Sequence, residues 1–246
     1  MVLTHLWAEV YGIIQKSERS DIEVEIWSTL ISQALVAAKE KNARCVQFRL
    51  IEKPGSEQLS DKLPNLGFQK KQHRIEFRKN LSELPSGDGS MISWQSASEF
   101  GWQVRDVANF LKLVAKGDPD SEPTDDPVTY VQDWMKDPVL TCGTDCISVG
   151  FKDKKPCALM VAQINPKSKW SRISYMGIIP EFRRQGLGKW VHRKGFDMMR
   201  AKGGTLYHGG TSTENLAMLA LFKSHRCEIY CKMQEWIWKP SAEVAP

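Results

Sequence analysis

The stretch YMGIIPEFRRQGLGKWVHRK, residues 175–194, limits what this chain can fold into more than any other. An apolar run stops at Pro180, and a turn holding Gly186 and Gly188 leads into residues with helical periodicity, so a strand must hand over to a helix there. At a helix start the first backbone N–H groups have no intrahelical acceptor and carry the positive end of the helix dipole. Glycines at 186 and 188 remove side chains that would hold an anion away from those amides. Arg183, Arg184, Lys189, Arg193 and Lys194 add positive charge with no acid among them. Such a cluster suits a phosphate-rich cofactor or nucleic acid equally, and composition alone does not choose.

The surrounding pattern predicts a mixed α/β fold. LSELPSGDGS, residues 81–90, is a turn-rich connection that divides the chain. After it, MISWQSA reads as a strand, EFGWQVRDVANFLKLVAKG as a helix, GDPDSEPTDDP as a loop and PVTYVQDWMK as a short helix with proline near its first turn. CISVGFKD, KPCALMVAQI and SRISYMGII are β-rich runs. A helix follows to Gly203 and Gly204, then the strand TLYHGG and the helix TSTENLAMLALFKS, with Thr211 and Glu214 at capping-box spacing. CEIYCKMQEWIWK closes as alternating strand.

The order strand, proline, Arg183, Gly186, Gly188, helix resembles the RxxGxG signature of the GNAT superfamily of N-acyltransferases. Asn215, Leu221 and Phe222 resemble that family's later motif. The likeness covers about 150 residues, 91–240, with a tail at 241–246. It implies acetyl-CoA as co-substrate. The loop of Arg183, Arg184, Gln185, Gly186, Leu187, Gly188 and Lys189 would cradle its pyrophosphate, with Met176, Gly177 and Ile178 along the pantetheine arm and Asn215 and Phe222 beside it.

A weaker copy of the same plan stands in front. AEVYGII at 8–14 resembles RISYMGII at 172–179, ALVAAKEKNARCVQFRL aligns with GFDMMRAKGGTLYHGGT, and LGFQKKQHRIEFRKNL aligns with HRCEIYCKMQEWIWKP. Residues 1–80 therefore read as the second half of another GNAT-like domain. Where the later copy has PEFRRQGLG, this one has QKSERSDIEVE, with no glycine and several acids, so its cofactor role looks lost. Either it is structural, its sheet edge covered by the other domain or by a second copy in a homodimer, or it is the remnant of a longer tandem chain.

Acetyl transfer to an amine needs the amine neutral, a donor for the oxyanion and a proton for the departing thiolate. In the family a backbone amide around Met176–Ile178 serves the oxyanion. Tyr175, His208 and Glu181 are the candidates for taking up the amine proton. Phe222 stands where the family has a thiolate-protonating tyrosine, and a phenyl ring donates no proton. Ser224, Tyr230 or water is left for that task, or the protein binds acyl-CoA without turnover. The resemblance also assigns GDPDSEPTDDP to the acceptor site, where Asp118, Asp120, Glu122, Asp125 and Asp126 would favour a cationic amine; a plain solvated loop is the other reading.

At 246 residues and 41% hydrophobic content the chain is long enough for a large core. No run is apolar enough for a membrane span, and the start lacks signal-peptide features, so a cytoplasmic location and no membrane partner are expected. A net charge of +5 without interleaved aromatics makes nucleic acid an unexpected partner. Cys142 and Cys146 are close enough to invite a metal site, but the six cysteines are scattered and several sit among apolar residues of apparent strands, so no metal is expected.

Overall fold

The structure is a computed structural model that describes residues 2–7, 10–15, 24–43, 45–83, 91–120, 126–137, 140 and 144–240. It has two compact units: Met1–Glu76 with Tyr230–Pro246, and Phe77–Ile229.

In the first unit, β1 (Val2–Trp7) and β2 (Val10–Gln15) form an antiparallel hairpin. α1 (Val24–Glu40) carries the chain to β3 (Cys45–Ile51), which runs parallel to β2. α2 (Ser56–Lys62) then leads to β4 (Gln69–Asn80). β10 (Glu228–Trp238), the last strand of the chain, lies antiparallel on β3 from Met233↔Ile51 to Trp238↔Val46. α1 is rich in good helix formers and buries Trp27, Ile31, Ala34, Leu35 and Ala38, one face at helical spacing. That face meets Val46, Phe48 and Leu50 of β3, with Leu59, Leu63, Phe68, Trp236 and Trp238 completing the core. Glu235 is buried and satisfied by Arg49 at 3.3 Å, Lys71 at 3.7 Å and Gln72.

The second unit holds β5 (Ser93–Ser96), α3 (Val104–Ala115), α4 (Pro127–Lys136), β6 (Ile147–Lys152), β7 (Lys155–Ile164), β8 (Trp170–Ile178), α5 (Gly188–Ala201), β9 (Leu206–Ser212) and α6 (Leu216–Ser224). Its strands lie in the order β9-β8-β7-β6-β5, parallel between β8 and β9 and antiparallel elsewhere. β7 is buried from Cys157 to Ile164, which explains its unbroken apolar run. Val107, Phe110, Leu111 and Val114 of α3 and Val131 and Trp134 of α4 pack with Leu159 and Val161. α5 lies so close to β7 and β8 that a Cβ at Gly195 would sit 2.5 Å from Ile173 and 3.0 Å from Met160.

The expected repetition is present as element order. Strand, helix, strand, helix, strand runs as β2-α1-β3-α2-β4 and again as β8-α5-β9-α6-β10, each with its first two strands parallel. The final strands are divided. β10 from Tyr230 onward belongs to the first unit, and Phe77–Asn80 of β4 belong to the second. α6 begins at Leu216 rather than Thr211, capped by Asn215, whose Oδ1 accepts the Met218 N–H at 3.1 Å. The expected Thr211–Glu214 capping box is therefore not formed, because the Thr211 hydroxyl has another acceptor, Asp120. Among the described residues no helix is long and apolar enough to cross a membrane.

Candidate functional site

β8 and β9 start as parallel neighbours, paired at Trp170↔Leu206 and Ser171↔Tyr207, and their ladder has only these two rungs. Beyond them β8 runs on to Ile178 and β9 to Ser212. A register shift on the other edge of β8 accounts for the parting. Val161 pairs with Tyr175 and Ala162 with Ile173, so Ser174 is an extra residue, and such a bulge bends a strand and increases its twist. The corresponding pair in the front copy does not open: β2 and β3 stay in register over five rungs, Val10↔Cys45 to Ile14↔Arg49.

β8 ends in the predicted turn. After Pro180–Phe182 the chain takes positive φ at Arg184 (61°) and Gly186 (76°), and α5 starts at Gly188. Alternation of this kind points successive amides to one side. The backbone N–H groups from Arg184 to Lys189 have no acceptor among the described residues. The two glycines act for different reasons. Gly186 combines its positive φ with open space, since nothing lies within 4 Å of where a Cβ would stand. Gly188 makes room for α6, because its Cβ would lie 3.3 Å from Leu221. Leu187, 1% exposed, pins the turn to the core, while Arg184 and Lys189 are exposed beside the amides. Lys152 donates to Gln185 Oε1 at 2.5 Å, and Gln185 Nε2 donates to the Glu181 carbonyl.

Arg183, expected at the pyrophosphate, has two of its donors on backbone carbonyls. Its Nε donates to the Ile178 carbonyl at 2.7 Å and its Nη2 to the Val114 carbonyl at 2.9 Å, tying the end of β8 to the end of α3. The guanidinium thus links β8 to α3, while Arg184 and Lys189 are exposed beside the amides and Lys152 is held by Gln185.

The segment Gly117–Asp120, which follows α3, forms a strap between the two strands. At the β8 side, Arg183 Nη1 lies 3.5 Å from where a Gly117 Cβ would be, and Val114 Cβ would lie 3.1 Å from a Cβ at Gly177. At the β9 side the Asp120 carboxylate accepts from Thr211 Oγ1, from Ser212 N at 3.0 Å and from Asn215 Nδ2 at 3.0 Å. Thr211, Ser212 and Asn215 are all buried. Asp118, half-buried between these anchors, accepts the Asp120 N–H through Oδ1 at 3.0 Å. Burial pushes its carboxyl up from the ordinary value, with neighbouring Asp120 adding to that, against the Asp120 amide and the Arg183 charge, which lower it. Asp126 caps α4 through the Thr129 N–H. The expected row of equivalent acids is thus three different groups, and Glu122 and Asp125 lie outside the described residues.

The other expected site residues divide as well. Met176, Gly177 and Ile178 lie on β8 beyond its last rung with β9, paired on the other edge with Met160, Leu159 and Ala158 of β7. Tyr175 stacks on Trp134 at 5.7 Å, and a Cβ at Gly177 would meet its ring at 3.1 Å, so it packs along its own strand. His208 meets Trp170 edge-on at 6.1 Å, and Glu181 is exposed in the turn after Pro180. Asn215 has both amide atoms engaged, in the α6 cap and with Asp120. Phe222 is not at the wedge surface: it is 1% exposed and stacked on Phe77, with no face to offer a cofactor. The Ser224 hydroxyl donates to the Leu221 carbonyl, and Tyr230 falls in the other unit. Among the described residues no three His, Cys, Asp or Glu side chains converge on a metal position; Cys146 is buried and Cys142 lies outside those residues.

Residues 108–226 match the profile of the acetyltransferase (GNAT) family. No curated protein matches the chain in sequence. Solved structures share its fold. A GCN5-related N-acetyltransferase from Sphaerobacter thermophilus superposes with TM-score 0.68 at 11% identity, over 99% of this chain and 77% of that one. One from Kribbella flavida gives 0.61 at 15%, over 97% and 84%. A tandem GNAT protein of the clavulanic acid biosynthesis pathway gives 0.61 at 12%, over 95% and 77%.

Proposed function

We propose that this protein, whose residues 108–226 match the acetyltransferase (GNAT) family, moves an acetyl group from acetyl-CoA to a primary amine of a small molecule or peptide. One observation carries the reading: a parallel strand pair that opens after two rungs leads straight into a helix-start turn whose amides from Arg184 to Lys189 lack acceptors. A diphosphate supplies the acceptors those amides lack, and Arg184, Lys189 and Lys152 neutralise it. The open edge of β8 from Arg172 to Ile178 offers backbone groups to the amide-rich pantetheine arm, and a β8 amide near Met176–Ile178 meets the carbonyl oxygen as it becomes negative. α6 adds apolar surface, for it carries Leu216, Met218, Leu219 and Leu221 yet buries only Phe222.

Calorimetric titration tests the cradle. Acetyl-CoA should bind the wild type once per chain and lose at least about tenfold in affinity to Gly186→Trp, whose indole would fill the open space at the turn. Unchanged affinity rejects the site. A second reading, acyl-CoA binding without turnover, is favoured by Phe222, which leaves the family's proton donor absent. Free thiol released with an amine panel decides between the two.

A further inference from the structure

Resting on that reading, we propose that Asp118 receives the acceptor amine, its carboxylate pairing with the incoming ammonium and taking the proton that must leave before the nitrogen attacks. The strap puts it there. Gly117–Asp120 is anchored to β8 through Arg183 and α3 and to β9 through Asp120, so Asp118 lies on a segment that spans the two strands beyond the point where they part.

Its bonding is unlike that of its neighbours. Asp120 is satisfied by three donors and Asp126 by a helix cap, whereas Asp118 accepts one backbone N–H on Oδ1 and forms no ion pair among the described residues. Arg183, the cation whose field reaches it, has turned Nε and Nη2 to backbone carbonyls. A half-buried carboxylate that forms no ion pair carries part of the cost of desolvation, and a cation arriving from outside offsets it. Burial also makes it a stronger base than a surface acid. Tyr175 stacks on Trp134, His208 meets Trp170 edge-on and Glu181 is exposed in the turn after Pro180.

The step balances. An ammonium R–NH3+ gives one proton to Asp118, and the freed lone pair forms a bond to the thioester carbonyl carbon as the C=O π pair moves to oxygen. Collapse returns that pair to the carbonyl and breaks the C–S bond, sulfur keeping its electrons. The second nitrogen proton goes to the thiolate, and Asp118 passes its own to solvent. R–NH3+ and the thioester become the amide, the free thiol and one H+.

Asp118→Asn is the test, because Asn retains an acceptor for the Asp120 N–H. A group whose folded pKa is raised destabilises the fold once it ionises, so the neutral Asn should leave the melting temperature at pH about 7.5 equal to or above wild type. Acetyl-CoA affinity should stay within about twofold. With a primary amine selected on wild type from alkyl diamines, amino acids and arylalkylamines, kcat/KM should fall about 100-fold or more, and the acid limb of its pH profile should disappear. Activity within about threefold of wild type overturns the assignment, as does a loss tracked by lower melting temperature and weaker acetyl-CoA binding. Wild type that binds acetyl-CoA but releases no thiol with any amine overturns the transferase reading and this one together. Gly186→Trp failing to weaken acetyl-CoA while Asp118→Asn loses turnover rejects the cradle alone.

Discussion

Phe77 and Phe222 lie face to face, ring centroids 4.1 Å apart and planes 12° from parallel. Phe222 belongs to α6, beside the proposed cofactor site, and Phe77 to β4, the last strand of the front repeat. The front of the chain therefore supplies part of the core of the unit that carries the site. Both rings are buried. Phe77→Ala should destabilise the protein by about 3–5 kcal/mol, read from urea unfolding, since the cavity adds to the lost transfer energy. A loss below about 1 kcal/mol would show that the stack closes up without it.

The same contact removes a tempting repair. Restoring a tyrosine at position 222 would set its hydroxyl in an aromatic cluster with Tyr207 and His192, whose centroids lie 6.4 and 5.3 Å away. Phe222→Tyr should leave kcat within about twofold, measured by thiol release. A tenfold rise would mean that the ring reaches the reacting sulfur after all.

Asp120 is the strap's anchor on β9. Asp120→Ala leaves Thr211, the Ser212 amide and Asn215 without their acceptor, at about 1–3 kcal/mol for each group that water cannot reach. Stability should fall by more than about 2 kcal/mol. The KM for the amine should rise more than the Kd for acetyl-CoA, because the strap carries Asp118, the proposed partner of the amine. Equal changes in both would place Asp120 at the cofactor instead.

Much of this was legible in the sequence, for physical reasons. Local chemistry sets the strand–proline–glycine–helix transition at 178–188, so the turn is where the pattern puts it. The alternation and periodicity of β5 to β9 and of α3 to α5 are likewise local. What depends on distant partners was not legible. Arg183 is committed to the carbonyls of Ile178 and Val114, the latter 69 residues away, and no spacing rule announces that. Thr211 has the spacing of a capping residue, yet its hydroxyl donates its hydrogen bond to Asp120, 91 residues earlier. Asp118, Asp120 and Asp126 look alike in a row of acids, and only the tertiary fold separates a half-buried carboxylate from a latch and a helix cap. Phe222 matched a motif position by order along the chain, while its burial depends on Phe77, 145 residues before it (222 − 77).

His192 and His225 supply a pH dependence distinct from that of Asp118. Their rings stack 4.9 Å apart and 5° from parallel, and both His192 ring nitrogens lack a partner among the described residues. Burial, then His225, pushes the His192 pKa down to about 3; burial, then Arg193, Lys79 and Lys189, pushes His225 down to about 4. Above about pH 6.5 both rings are neutral whether the chain is folded or not, and they do not affect the balance. Below it the unfolded chain binds protons that the folded chain refuses, so stability drains as pH falls from about 6.5 towards 4 and 3. His192→Phe removes one of these protons. Its urea midpoint relative to wild type should therefore improve steadily between about pH 7.5 and pH 5, whatever the offset at pH 7.5. Parallel curves for the two proteins across that range would show that His192 already carries its proton, or finds a partner, inside the fold.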